Sequence, residues 1–203
     1  MLVRSCALPC TGLAFRRESL TRPLTGSSGG KESPQTPSTS GVLDMAIVNI
    51  YTGVGARTTP ADELEFMTRL ARRLAVNHWA LRSGGAKGAD TAFAEGAGLA
   101  CIYRPEDATE AAMELAAKHH PAWGKCSPVA RRMHGRNCFQ VLGPKLDSPS
   151  AMLICWTKDG MGRGGTGQAI RIARAYDVPV FDLGGNRAEA IIGIKAIVDA
   201  ANR

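Results

Sequence analysis

The sequence predicts a three-layer α/β domain in which helices cover both faces of a mostly parallel sheet. Three observations carry this. From Met45 onward, short apolar runs alternate with amphipathic segments. AMLICWT at 151–157 is a nearly continuous apolar run, the mark of a central strand covered on both faces. Glycine-rich loops recur where an apolar run gives way to a helical pattern.

The elements follow in order. AIVNIYT at 46–52 reads as a buried strand, and GVGARTTP as a loop closing on a proline suited to a helix start. Residues 61–77 place Leu64, Met67, Leu70, Ala71 and Leu74 on one helical face. Trp79 to Leu81 form a short strand, SGGAKG a loop, Ala89 to Ala97 a helix, and Cys101 to Tyr103 a third strand. Between 105 and 140, DATEAAMELAAKHH and VARRMHGRNCFQVLG are helical, with PAWGKCSP breaking them. AMLICWT is the next strand, KDGMGRGGTG a loop, QAIRIARAYD a helix and VPVFDL a strand. A helix over 186–201 then turns Ile191, Ile194 and Val198 inward. Strands alternating with helices give a Rossmann-like fold.

Composition bounds the rest. A length of 203 residues suits one compact domain, expected over 45–203, plus a flexible low-complexity extension over 1–44 that contains GSSGGKESPQTPSTSG. The first 22 residues, with four arginines against one acid, also resemble an organellar targeting peptide; an upstream start adding non-functional residues and a tail with a binding role are the competing readings. Against 18 Asp and Glu stand 25 Lys and Arg, a bias of +7 that tolerates phosphate-bearing partners without demanding them. No run approaches the eighteen or so apolar residues of a membrane-spanning helix. Six cysteines without a CxxC pair suggest reduced, mostly buried thiols and a cytoplasmic protein.

The glycine loops point to a ligand. In open parallel sheets ligands gather beyond the carboxyl ends of the strands. TGVGARTTP (52–60), SGGAKGAD (83–90) and GMGRGGTGQA (160–169) all fall at strand-to-helix junctions and carry Arg57, Lys87 and Arg163. Glycine lets backbone N–H groups approach an anion, and the helix dipole favours phosphate there. A single such loop more often just makes a turn; three meeting at one sheet edge argue for a phosphate or nucleotide site. The spacings match neither GxGxxG nor GxxxxGK[ST], so standard dinucleotide binding and P-loop hydrolysis are not expected.

GARTTP, LRSGGAKGAD, RMHGRN and RGGTGQAIRIARAYDVPVF follow one another in an order that resembles the DNA-processing protein A family (DprA, also called Smf). This family belongs to the nucleotide-binding SLOG group. The similarity spans roughly 46–184. It implies an anion pocket formed by Gly53, Gly55 and Arg57, by Ser83, Gly84, Gly85, Ala86, Lys87, Gly88 and Asp90, by Arg136 and Asn137, and by Gly164, Gly165, Thr166, Gly167 and Gln168. It implies as partner a nucleotide or single-stranded DNA, in a fold group where homodimers are common. Family members usually carry flanking domains, and no winged-helix tail is expected after Arg203, so phosphate binding carries over rather than recombination. Residues 104–130 match no part of the family pattern.

A related branch, the phosphoribohydrolases, cleaves the N-glycosidic bond of nucleotides with the glutamate of a GGxGTxxE loop. That position falls on Arg171 here, leaving Asp90 or Glu95 as substitutes and Asp90 more simply as an acceptor of backbone N–H bonds at a helix start. Binding without catalysis is therefore the expectation, with no catalytic residue, no metal and no cofactor beyond a bound nucleotide. The alternative is a glycosidic-bond enzyme. Lys158 at the end of the AMLICWTKD strand suits a phosphate, and Trp156 suits either base stacking or the core. His119, His120 and Cys126 suggest zinc ligands, but neighbouring histidines point to opposite sides and a fourth ligand is missing, so an exposed helix end is expected. Cys138 reads as a buried apolar group rather than a reactive thiol.

Overall fold

The computed structural model describes residues 49–203. The expected extension 1–44, the domain boundary at 45 and the start of the first expected strand lie outside the described residues.

Five strands, β1 (Asn49–Gly55), β2 (Trp79–Ser83), β3 (Ala100–Ile102), β4 (Met152–Trp156) and β5 (Val180–Asp182), form one sheet in the order β3-β2-β1-β4-β5. Every neighbouring pair is parallel. Among the described residues the path runs from the middle strand outward through β2 and β3, then returns to the other side of β1 for β4 and β5. The order therefore reverses between β1 and β4.

Six helices cover the two faces among the described residues: α1 (Ala61–Val76), α2 (Ala89–Gly96), α3 (Glu110–Lys118), α4 (Pro128–Leu142), α5 (Gly164–Ala175) and α6 (Arg187–Ala201). Strand alternation divides the core in two. Met152, Ile154 and Trp156 of β4 pack with Met67 and Leu74 of α1, Phe93 of α2 and Ile194 of α6. Leu153 and Cys155 pack with Ala116 of α3, Phe139 and Leu142 of α4 and Ile172 of α5. The three-layer arrangement matches the sequence expectation. No helix among the described residues is long and apolar enough to cross a membrane.

Local chemistry sets the helix starts. Thr109 and Ser127 accept the backbone N–H of Ala112 (3.3 Å) and Ala130 (3.2 Å) at the heads of α3 and α4, with Pro128 in the first turn of α4. Asn186 does the same for Glu189 N–H (3.2 Å) at α6. In the first turn of α1, Asp62 and Glu63 complement the helix dipole.

Two boundaries differ from expectation. The GVG stretch expected in a loop is the end of β1, where Gly53 and Gly55 pair with Ile154 and Trp156. A Cβ at Gly53 would lie 2.7 Å from Leu81 Cδ1, and one at Gly55 would lie 2.5 Å from Ala89 Cβ. These glycines let the helix layer close on the strand. Likewise GGTG at 164–167, expected as loop, forms the first turn of α5.

The α1–α2 contact depends on similar closeness at Gly96, where a Cβ would sit 2.2 Å from the Thr68 carbonyl oxygen and 2.7 Å from Ala71 Cβ. Gly96→Ala is expected to lower the urea unfolding free energy by about 1–3 kcal/mol through overpacking. An unchanged midpoint would show that the two helices can separate at no cost.

Candidate functional site

A cleft of 540 Å³ opens beyond the carboxyl ends of β1 and β4, at the reversal of strand order. Arg57 enters it from the loop after β1, Ala86 and Asp90 from the β2–α2 junction, Arg136, Asn137 and Gln140 from α4, and Arg163 to Thr166 from the head of α5. The sequence-predicted loops therefore do meet, with α4 as the wall opposite them.

Asp90 ties two of the loops together. Its carboxylate oxygens accept the N–H of Gly55 (3.1 Å) and of Ala86 (3.3 Å), and the side chain is almost wholly buried. Burial raises its carboxyl above the ordinary carboxylate range, while the charge of Arg136 and the backbone N–H bonds pull the other way. Among the residues lining the cleft Asp90 supplies the carboxylate, and its oxygens are already occupied.

Arg136 and Asn137 tie α4 to the other walls. Arg136 Nη1 donates to the Gly84 carbonyl (3.0 Å) and Nη2 to Asn137 Oδ1 (3.4 Å). In the amide orientation that satisfies its neighbours, Gln140 Oε1 accepts from Arg136 Nε and Gly84 N–H, each at 3.1 Å. Asn137 Nδ2 donates to the Gly165 carbonyl (3.1 Å). Arg136 thus keeps donors to spare for a ligand while its guanidinium is held in place.

The approach to α5 is braced from β5. Asp182 accepts the N–H of Thr157 (2.8 Å), the Thr157 hydroxyl and the N–H of Gly184 (3.0 Å). Thr157 Oγ1 in turn accepts Gly162 N–H (2.9 Å). The turn takes positive φ at Asp159, Gly160 and Gly162, as does Gly164, the first residue of α5. No side chain caps α5, so the amides of Gly164, Gly165 and Thr166, residues that line the cleft, have no intrahelical partner. A Cβ at Gly165 would meet nothing within 4 Å.

The remaining predicted residues divide. Gly55, Arg57, Ala86, Asp90, Arg136, Asn137, Arg163, Gly164, Gly165 and Thr166 line the cleft. Gly53 and Ser83 lie beneath it, the Ser83 hydroxyl donating to the Gly53 carbonyl (2.7 Å). Gly84 receives Arg136, and Gly85 (φ 63°) makes the turn. Gly88 (φ 97°) and Lys87 line a neighbouring groove between α1 and α2, together with Glu95. Gly167 packs where a Cβ would fall 1.9 Å from the Gly162 carbonyl oxygen. Gln168 is fully buried, its amide donating to Ala116 O (2.8 Å). Lys158 stands exposed on the turn after β4, away from the cleft. Trp156 is 8% exposed and fills the core, the second of the two roles the sequence left open. Arg171, at the position of the hydrolase glutamate, donates to His119 O (2.9 Å) and Gln168 Oε1 (2.8 Å). Sequence reasoning missed Gln140, Thr157 and Asp182. Gln140 stands one helical turn after Arg136, a spacing that could have singled it out.

His120, Cys126 and His134 converge beside the cleft, which His134 also lines. The structure corrects the grouping read from the sequence, because His134 and not His119 joins the other two. Burial, then the charges of His120, Arg171 and Arg136, push the His134 imidazole down to about 4. Cys138 is buried, donates to Ala112 O (3.3 Å) and has its thiol pushed up to about 12 by burial, which keeps it protonated at neutral pH.

No protein-family model and no curated protein matches the chain. A solved structure does. It is that of DNA processing protein A from Helicobacter pylori, described for its single-stranded DNA binding mode. The match has 20% identity and a TM-score of 0.47, and it covers 66% of this chain and 64% of that one. This chain therefore matches less than two thirds of the Helicobacter protein, and residue roles here rest on the cleft itself.

Removing the Asp90 carboxylate takes the partner from two half-buried amides, so Asp90→Ala is expected to cost about 1 kcal/mol for each. An acid whose folded value is raised contributes stability fully below its unfolded value and loses it as pH rises through the folded one. The gap between the wild-type and Asp90→Ala unfolding free energies should therefore be widest below about pH 4 and narrow on going up. A gap that widens with pH would show the carboxylate form to be the one the fold favours.

Proposed function

We propose that the cleft binds phosphate groups, either of a nucleotide or nucleotide-derived signal or of single-stranded nucleic acid, and holds them without chemistry. One observation carries this reading. Arg57, Arg136 and Arg163, from three separate elements, line the same cleft as the uncapped first turn of α5. Arg57 and Arg163 are exposed and take part in no ion pair among the described residues. Free guanidinium groups and helix-start amides are donors suited to phosphate oxygens. Asp90, spent on backbone amides, is poorly placed to act as acid or base, and Glu95 faces the neighbouring groove. The glycosidic-bond reading thus lacks a free carboxylate in the cleft among the described residues.

Nucleoside monophosphates and an oligothymidylate, the latter the class of ligand named for the Helicobacter protein, are the probes. Arg57→Ala and Arg163→Ala should each weaken binding by about tenfold or more, the loss of a charge-assisted hydrogen bond. For the oligonucleotide, three phosphate contacts predict a slope of log K against log salt near −2, falling by about 0.7 in each single variant. Calorimetry or fluorescence anisotropy reads both. Affinities indifferent to both arginines would refute the site.

Gly165 separates ligand binding from folding. Its added Cβ would meet no protein atom, so Gly165→Ala should leave stability unchanged or raise it by up to about 1 kcal/mol, as expected for Gly to Ala within a helix. Gly165→Val, read by the same titration, should lower phosphate affinity by crowding the amides while the protein stays folded. Unimpaired binding by that variant would place the ligand elsewhere.

A further inference from the structure

We infer that His120, Cys126 and His134 form a binding site for a thiophilic divalent cation of the zinc class at the edge of the cleft. Their potential donor atoms all lie within 4.8 Å of one another. Cys126 Sγ is 3.8 Å from both ring nitrogens of His120, and the His120 and His134 ring centroids are 4.5 Å apart. In a tetrahedral zinc site, ligand atoms of these types stand about 3.3–3.6 Å from one another, so small side-chain rotations close the gap.

The fold holds the three residues from separate local structures. His120 follows the end of α3, Cys126 closes the short turn at 123–125, and His134 lies on the second turn of α4, whose start is fixed by Ser127. Trp123 packs against both imidazoles, at 5.9 Å from His120 and 6.3 Å from His134, with the Arg131 guanidinium over the Trp123 ring at 5.6 Å from its centroid.

A second observation is independent of this proximity. His134 Nδ1 is shut away from solvent and has no hydrogen-bond partner, a state that costs free energy unless something binds it. A cation on that lone pair supplies the partner. His120 Nδ1 accepts Ala122 N–H (3.2 Å), so His120 ligates either by giving up that bond or through Nε2 after a turn of the ring.

The donor set decides the class of metal. One thiolate and two imidazoles suit zinc, cobalt or copper and not magnesium or calcium, which take oxygen ligands. Three protein ligands leave a fourth position open to water or an anion. His134 also lines the cleft, which puts the three ligands at its edge. Arg171 and Arg136 add positive charge nearby, which the Cys126 thiolate and an anionic fourth ligand offset.

The test uses the full chain, stripped with a chelator and titrated with Co²⁺ and then Zn²⁺ without any nucleotide, so that its outcome is independent of the phosphate reading. One equivalent of Co²⁺ should bind with a thiolate-to-cobalt absorption band, displaced by Zn²⁺ and not by Mg²⁺. Cys126→Ser should abolish the band. His134→Gln and His120→Gln should each weaken binding at least about tenfold, while His119→Gln, whose ring packs on Tyr176, should match wild type. Circular dichroism checks that each variant is folded. In the wild-type chain, Zn²⁺ should also slow alkylation of Cys126, a readout that needs no variant. Absence of saturable binding, a band that survives Cys126→Ser, equal losses in His119→Gln and His134→Gln, or an unchanged alkylation rate would each overturn the site.

Discussion

The reversal of strand order at β1 is the constraint on which the rest depends. With β2 on one side and β4 on the other, the connections that leave β1 and β4 run to helices on opposite faces of the sheet. The loops at those two strand ends part, and a cleft opens where an unbroken order would have packed a helix. Everything the cleft presents, from the Arg57 loop to the uncapped start of α5, is there because the sheet splits its connections at that point.

Polar tethers convert that opening into a fixed shape. Asp90 joins the β1 and β2 loops through two amides, Arg136 and Gln140 join α4 to Gly84, Asn137 joins α4 to α5, and Asp182 with Thr157 braces the turn before α5. Each tether supplies a partner to backbone groups at the strand ends or loops it joins. The cations left facing the cleft are then those not used in this scaffolding, Arg57 and Arg163, together with the spare donors of Arg136.

Much of this was legible in the sequence. Apolar runs and helical periodicity located the five strands and six α-helices of the described region, since burial on one face or two imposes period and length. Residues of the glycine loops and the Arg136–Asn137 pair meet at one edge of the sheet. The roles of individual glycines were not legible. Gly53, Gly55 and Gly167 are small because a helix, a side chain or a carbonyl lies against them, whereas Gly165 faces open space. The same residue type serves packing in one place and access in another, and only neighbours distant in the chain tell the two apart.

By itself the sequence determined the layered fold, the alternation of strands and helices and the concentration of phosphate-suited loops at strand ends, because these follow from periodicity and local backbone chemistry. Tertiary structure alone decided which cations reach the cleft, sending Arg163 inward while Lys87 faces another groove and Lys158 the solvent. It also decided that His134, on a separate helix from His120, completes a cluster with Cys126 in place of the adjacent His119. Neighbours in sequence diverge on a helix end and residues far apart converge by packing, so side-chain groupings belong to the three-dimensional arrangement and not to spacing along the chain.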